Sequence, residues 1–551
     1  MNTQLLNLLL LLVFIHFSCF LVLVPVSAKV FLSIDCGSST LKPHTDKNTI
    51  VWVGDDPYIQ TGETRKVNVA PPNISGWDSR VMSTLRAFPS RKKNCYSINI
   101  ASSKDKDATK VERVLLRASF YYGNYDNKSS PPTFNLHFNG NNWFQTGDII
   151  TTTGIVYTEV VYSLKKGNNI NVCVAKTKPD NIPFISTLEV RSLDSDAYSY
   201  VPPDFPLFFI GRYAYGTNST TRYPEDSFDR IWASIGPEVN ANYTRITSNS
   251  PSIDVSIDDK PPEVVLRTAL LRANASENLM EIRVSDPKIF VQYNAYFSEV
   301  IKLNSSQKRS FNLVVNNDPD SIVGPVVPPY GRALEVRISN ITSSANFSYW
   351  IDFVPTDDST LPPLINALEW YNIGDKLAQG TNSTDVKALG LLQKNFNQLQ
   401  DWNGDPCLPS PYTWDWVSCN SDTDSPRITA VNLSGLGLKG ILPDFSAMDA
   451  LEIIDLHNNS LMQGIPEFLG MFPKLTVLNL ADNNFSGTVP SSISNNANLK
   501  FNALGNPNLS CPTSTICNKE SRIPSPNNGN RSKTYAHPIV ILLVMLSGLL
   551  L

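Results

Sequence analysis

The chain has 551 residues, with 46 Lys and Arg against 50 Asp and Glu and a formal net charge of −4. That near balance, with no basic stripe interleaved with aromatics, removes the electrostatic footprint of a nucleic-acid binder, so DNA and RNA are excluded as expected partners. The length suffices for about three domains of ordinary size, each able to bury its own core.

In chain order, Leu5 to Val24 form an apolar run that closes on Val26-Ser27-Ala28, a small-x-small cleavage pattern. Residues 1–28 are read as a signal peptide, the mature chain starts at Lys29, and the expected route is the secretory pathway to the extracellular face of the plasma membrane. The following region is rich in Val, Ile, Phe and Tyr in short alternating runs broken by Asn, Asp, Gly and Pro, which predicts antiparallel strands. Pro132-Thr-Phe-Asn-Leu-His-Phe-Asn and Arg309-Ser-Phe-Asn-Leu-Val-Val-Asn align on Phe134 and Phe311, each after an aromatic segment, so a duplicated β-sandwich is expected. Pro202, Pro203 and Pro206 would break any strand and place the boundary, giving lobes at 29–200 and 201–358.

Residues 359–400 are expected to be a helical connector, with Thr384 as N-cap and Val386, Leu389, Leu392, Phe396 and Leu399 near helical spacing. Leu451 recurs as Leu475, Asp455 as Asn479, Asn459 as Asn483 and Ile465-Pro466 as Val489-Pro490, a period of 24 residues. Each such unit supplies a short strand to a parallel stack, and its Asn turns inward to satisfy backbone groups at the bend. The repeats span 427–510, after a cap at 401–426, with a second cap and linker at 511–527. Residues 528–551 end in the apolar run Ile539–Leu551, short for a spanning helix. With the small residues Asn527-Asn528-Gly529 and a polar spacer before it, this tail reads as a GPI-anchor signal with Asn527 as the attachment residue, or as a truncated transmembrane segment.

Several separated blocks carry a resemblance: Phe31-Leu-Ser-Ile-Asp-Cys-Gly37, Thr84-Leu-Arg-Ala-Phe-Pro89, Asn94-Cys-Tyr96 and Tyr223-Pro-Glu-Asp-Ser-Phe-Asp-Arg-Ile-Trp232. In that order they resemble the malectin-like ectodomain of plant receptor kinases, from Lys29 to Pro355. Trp402-Asn-Gly-Asp-Pro-Cys407 with Trp414-Asp-Trp416-Val-Ser-Cys419 resembles the N-terminal cap of a plant leucine-rich repeat. The resemblance implies a mostly β chain: two tandem malectin-like β-sandwich lobes joined by a short linker, then a short plant-type leucine-rich repeat solenoid.

Asn-x-Ser/Thr sequons stand at Asn73, Asn127, Asn218, Asn242, Asn274, Asn304, Asn340, Asn346, Asn382, Asn432, Asn458, Asn484 and Asn508, so a sugar-shielded surface is expected. Once Cys19 leaves with the signal peptide, an odd set of cysteines remains. Cys407 with Cys419 and Cys511 with Cys517 are read as local staples of the repeat segment, Cys36 with Cys95 as a third bridge, and Cys173 as a buried thiol or an intermolecular partner.

Among candidate sites, Gly435-Leu-Gly-Leu-Lys-Gly440 has the spacing of a dinucleotide loop, but Ile441-Leu-Pro443 continues the repeat where a helix would have to open. Asn420-Ser-Asp-Thr-Asp424 lacks the glycine and closing glutamate of a calcium loop and reads as a solvated turn. His44, His137 and His457 are isolated, so neither a metal nor a nucleophilic triad is expected. No carboxylate pair suited to glycoside hydrolysis stands out, and no kinase glycine loop or catalytic-loop motif is present. The chain is therefore read as non-catalytic and without a cofactor. Phe120, Tyr121, Tyr122, Tyr125, Trp143 and Phe144 could stack sugar rings, although strand alternation sends some of them into the core. Tyr122, Tyr125 and Asp126, beside Gly123 and Asn124 in an expected loop, are the ligand-binding candidates. The resulting expectation is a cell-surface receptor-like protein that binds an extracellular carbohydrate or peptide and acts with a kinase-bearing co-receptor. A membrane-anchored wall lectin and a truncated receptor kinase are the alternatives.

Overall fold

The computed structural model describes residues 30–38, 42–99, 113–147, 150–164, 169–236, 243–272, 291–315, 318, 321–341, 351–510 and 517. The expected signal peptide, the tail with Asn527, the sequons Asn242, Asn274 and Asn346, the side chain of Asn340, and Cys511 lie outside the described residues.

Two consecutive sets of strands carry the first two thirds of the chain. The first consists of β1 (Phe31–Asp35), β2 (Lys93–Ile98), β3 (Arg113–Tyr121), β4 (Phe134–Phe138), β5 (Asn141–Gln145), β6 (Ile155–Ser163), β7 (Ile170–Lys176) and β8 (Thr187–Ser192). The second consists of β9 (Leu207–Tyr215), β10 (Val291–Phe297), β11 (Phe311–Val315), β12 (Ile322–Val326), β13 (Leu334–Ile341), β14 (Ile351–Pro355) and β15 (Ala367–Ile373). The sheet order β1-β8-β3-β6 recurs as β9-β15-β10-β13, and β7-β4-β5 recurs as β14-β11-β12. The Phe134 and Phe311 runs are the matched strands β4 and β11. In both, alternate residues point inward: Phe134, Leu136 and Phe138 in one, Phe311, Leu313 and Val315 in the other. Each set has its own apolar cluster, one around Phe120, Phe134, Phe184 and Val190, the other around Tyr293, Phe297, Phe311 and Leu368.

Two sequence expectations change here. A linker alone does not join the sets, because β6 pairs antiparallel with β9 through Val160 opposite Phe208 and Val161 opposite Leu207, making one continuous sheet. The 359–400 stretch opens as strand: β15 pairs with both β9 and β10, since Leu368 and Trp370 fill the second core. Helix begins only at α1 (Ser383–Asn395), and its N-cap is Asn382 rather than Thr384: the Asn382 side chain accepts from the N–H groups of Thr384 and Asp385. Leu389 and Leu392 are buried, whereas Val386 is exposed.

The repeats stack parallel strands β16 (Ile428–Asn432), β17 (Ile453–Asp455), β18 (Val477–Asn479) and β19 (Lys500–Asn502). Asn483 shows why the repeat needs this residue. Its amide donates to the carbonyls of Leu456 at 2.9 Å and Ala481 at 3.0 Å, and its Oδ1 accepts from Leu461 N–H at 3.0 Å. Asn459 and Asn506 make equivalent bonds.

Cys407 pairs with Cys419 as expected, but the Cys36–Cys95 bridge is overturned. Cys95 is bonded to Cys173, its directly opposed neighbour in the β2–β7 ladder, and Cys36 is a buried free thiol. Cys517 is disulfide-bonded; with Cys511 outside the described residues, their pairing stays an expectation.

Candidate functional site

The loop after β3 turns at Gly123 (φ +47°) and Asn124 (φ +53°) and sends Tyr122 and Tyr125 back into the first core. Their rings meet edge to face at 5.6 Å, and Tyr125 packs 5.2 Å from Phe184. Tyr125 donates its hydroxyl to the Ile182 carbonyl at 2.8 Å, and Tyr122 donates to Asp126. Burial pushes both phenols well above their ordinary range. The ring faces that would stack a sugar are consumed by packing, which corrects the reading of these tyrosines as an open platform. Phe120, Tyr121 and Trp143 are buried as well, while Asp126 and Phe144 are half-buried. Asp126, Asn127 and Lys128 are what this loop presents outward.

The face of the long sheet opposite the two apolar clusters carries charge. Arg117 on β3 donates to Glu159 on β6 at 2.8 Å and to Glu189 on β8 at 3.1 Å. Asp229 accepts from Arg191 at 2.7 Å and from Arg222 at 2.7 Å, and Asp226 accepts from Arg230 at 2.9 Å and from the Trp232 indole at 2.8 Å. Although burial pushes Asp229 up, Arg222, Arg191 and Arg117 outweigh it and hold the carboxyl far below its usual range. The Tyr223–Trp232 block that carries the family resemblance is thus the clamp laid across this face. These groups are closed to solvent, so the network holds the fold together and offers no reacting atom to a substrate.

The repeats carry a partly accessible face of a different kind, exposed at Asn432 and Lys500 and buried at Val477 and Asn479. Register aligns Ala430, Ile453, Val477 and Lys500 in one row and Asn432, Asp455, Asn479 and Asn502 in the next, on the side of the sheet opposite the buried Val431, Ile454, Leu478 and Phe501. His457 Nδ1 lies 2.7 Å from Asp455 Oδ1 beside these rows. Such rows can meet an extended chain with alternating apolar and polar contacts.

The glycine-spaced segment Gly435–Gly440 runs into the strand Lys439–Gly440 and opens no helix. In the Asn420–Asp424 turn, Asp422 Oδ1 accepts from the N–H groups of Asp424 and Ser425, which closes the loop on itself. Among the described residues no group of three or more His, Cys, Asp or Glu is placed to hold a metal ion, and no helix is long and apolar enough to cross a membrane. The sequons Asn73, Asn127, Asn218, Asn304, Asn432, Asn458, Asn484 and Asn508 are exposed, and Asn382 is half-exposed.

The described residues thus form two consecutive strand sets crossed by buried ion pairs and followed by a stack of repeats. The chain belongs to the malectin-like family: the malectin-like domain matches residues 34–373, ending where β15 ends, and leucine-rich repeats match 450–472 and 474–496. A probable leucine-rich repeat receptor-like serine/threonine-protein kinase of Arabidopsis thaliana is 34% identical over 428 residues, covering 76% of this chain and 45% of that protein. An uncharacterized Arabidopsis thaliana protein is 36% identical over 359 residues, covering 64% of this chain and 66% of that one. The chain thus spans less than half the length of the receptor-like kinase. Among solved structures, the ANX2 ectodomain from Arabidopsis thaliana superposes with a TM-score of 0.52 at 17% identity, over 63% of this chain and 97% of that one. The ANXUR1 extracellular domain, also from Arabidopsis thaliana, gives a TM-score of 0.51 at 17% identity over the same shares. At that identity the likeness is one of fold.

Proposed function

We propose that this chain is a non-catalytic, ligand-binding receptor-like protein of the plant cell surface, which binds an extracellular ligand and acts with a kinase-bearing co-receptor. The observation that carries this reading is the order of its parts, a malectin-like region followed by leucine-rich repeats in one chain that is 34% identical over 428 residues to a probable leucine-rich repeat receptor-like kinase. The two strand sets are read as the tandem malectin-like lobes. Of the two ligand classes, the structure's features favour a peptide. The Tyr122 and Tyr125 rings are committed to the core, whereas the parts of the repeat rows that stay open, from Asn432 past Ile453 and Asp455 and again at Lys500 and Asn502, suit an extended backbone. Two weak contacts on one tethered molecule would raise the effective concentration of the co-receptor.

The exposed sequons are proposed to carry N-glycans, and the apolar C-terminal run a lipid anchor at Asn527. The reading is tested by purifying an internally tagged chain from plant membranes and identifying bound kinases, alongside a glycan array. Recovery of a receptor kinase supports it. Robust glycan binding with no kinase recovered would replace it with a wall lectin. Release of the tagged protein by phosphatidylinositol-specific phospholipase C tests the anchor, and retention would favour a membrane helix.

A further inference from the structure

The first strand set and the cap of the repeats meet in a closed, largely polar joint. Lys93, on the outer side of β2 and 4% exposed, donates Nζ to the carbonyls of Asp405 at 2.7 Å and Leu408 at 2.9 Å. Gly404 lies directly over the Cys95–Cys173 disulfide at φ +77°, where a Cβ would come within 2.5 Å of Cys95 Sγ and 2.9 Å of Cys173 Sγ. Arg91 donates to the Asp401 carbonyl at 3.1 Å and covers the Trp402 ring at 4.2 Å. On β4, Asn135 donates to the Tyr412 hydroxyl at 3.1 Å, and the His137 ring rests against the Tyr412 ring with centroids 5.0 Å apart.

His137 is a titratable ring in this joint, 1% exposed, that makes no hydrogen bond among the described residues. The groups around it offer no compensation for a proton. Lys93 on β2 is a second cation, Cys173 opposite it on β7 is in the disulfide, and Asn142 opposite it on β5 is neutral. From the cap comes the Tyr412 phenol. The Asp405 carboxylate is occupied by Thr381 and by the N–H groups of Cys407 and Leu408, and Asp415 acts on Lys93 and Arg91 only at longer range.

We propose that this joint is an acid-weakened hinge, in which protonation of His137 unseats the repeat cap from the first strand set. The malectin-like region and the repeats then move as one body near neutral pH and independently in acid. The titration has the required sign. Burial, and then the Lys93 charge, hold the docked imidazole down at about 3, and burial lowers Lys93 to about 8. A group depressed on docking supports the docked state fully above its free value of roughly 6.5 and loses that support as pH falls towards the docked value. Docking should therefore weaken about tenfold for each pH unit below roughly 6.5. Lys93 acts in the same direction at alkaline pH, since docking strengthens as its amine loses its charge.

The test is small-angle X-ray scattering of the full secreted chain at pH 7.5, 6.0 and 5.0, with hydrogen exchange read at the joint. The expected result is a reversible rise in the radius of gyration on acidification, with protection lost first at Lys93–Cys95 and Asn135–His137. His137→Phe, which keeps a ring against Tyr412, should stay compact throughout, and Gly404→Ala should be extended at every pH. If His137→Phe is not secreted, His137→Gln serves as the untitratable variant. The same rise in the untitratable variant, no rise in the wild type, or loss of protection spread over the whole chain would each overturn the hinge.

Discussion

Arg212 Nη2 lies 3.0 Å from Glu159 Oε2, and neither side chain reaches solvent. Glu159 stands on β6 and Arg212 on β9, so this ion pair crosses the seam where the sheets of the two strand sets join. Arg212 also donates to Glu369 and to the Tyr371 hydroxyl on β15. The seam is thus closed by backbone pairing and by charge together, and the two sets should unfold as a unit.

Arg212→Met tests that coupling. It leaves Glu159 and Glu369 buried with less positive charge to balance them, and breaking such a pair costs about 3–5 kcal/mol. Urea denaturation of the secreted chain, followed by tryptophan fluorescence, should show that loss in a single transition for both sets. A loss below about 1 kcal/mol would mean that the seam does not depend on the pair.

The repeat period and the strand alternation were legible in the sequence because each is a local pattern. Phe134 and Phe311 could be aligned by eye, and both proved to be core residues of matched strands. What escaped was set by contacts distant in sequence. Cys95 bonds Cys173 because β2 lies beside β7, a ladder that no spacing of cysteines reveals. Tyr122 and Tyr125 looked like a loop platform, but Gly123 turns the chain so that both rings fall against Phe184. The buried network had one visible signal, the dense Asp and Arg content of Tyr223–Trp232, an unusual composition for a segment that also holds Phe228, Ile231 and Trp232.

Asn483→Ala should damage the repeats without touching the strand sets. The substitution strands the N–H of Leu461, whereas the carbonyls of Leu456 and Ala481 keep their bonds from the Asn459 amide and the Asn458 N–H, and an unsatisfied buried backbone group costs about 1–3 kcal/mol. Hydrogen exchange should show faster exchange at Leu461 and through β17 and β18, while β3 and β10 keep their protection. Unchanged exchange at Leu461 would contradict the inward role of the Asn side chain.

Cysteine chemistry gives a direct check on the corrected pairing. Non-reducing peptide mapping should recover Cys95 linked to Cys173 and Cys407 linked to Cys419. Cys36 is fully buried, and burial, with the Asp55 charge beside it, pushes its thiol well above the usual range. It should therefore resist alkylation in the native chain and react only after denaturation. A Cys36–Cys95 peptide, or rapid native labelling of Cys36, would overturn the arrangement.

Asp35 sets a pH dependence of opposite sign to that of the joint. Burial lifts its carboxyl to about 7, against the lowering effect of its bond from Thr84 Oγ1 at 3.1 Å. A raised carboxyl favours the folded chain most at pH values below its unfolded value of roughly 4, and that contribution is lost as pH rises through 7. Asp35→Asn, which mimics the neutral acid, should therefore raise the thermal midpoint relative to wild type at pH 8 and change it little at pH 4. The stabilisation at pH 8 should be about 4 kcal/mol, because the carboxyl is lifted by about three pKa units and each is worth about 1.4 kcal/mol. Calorimetry at the two pH values reads the difference. An equal effect at both would mean that Asp35 acts through its bond to Thr84 and not through its charge.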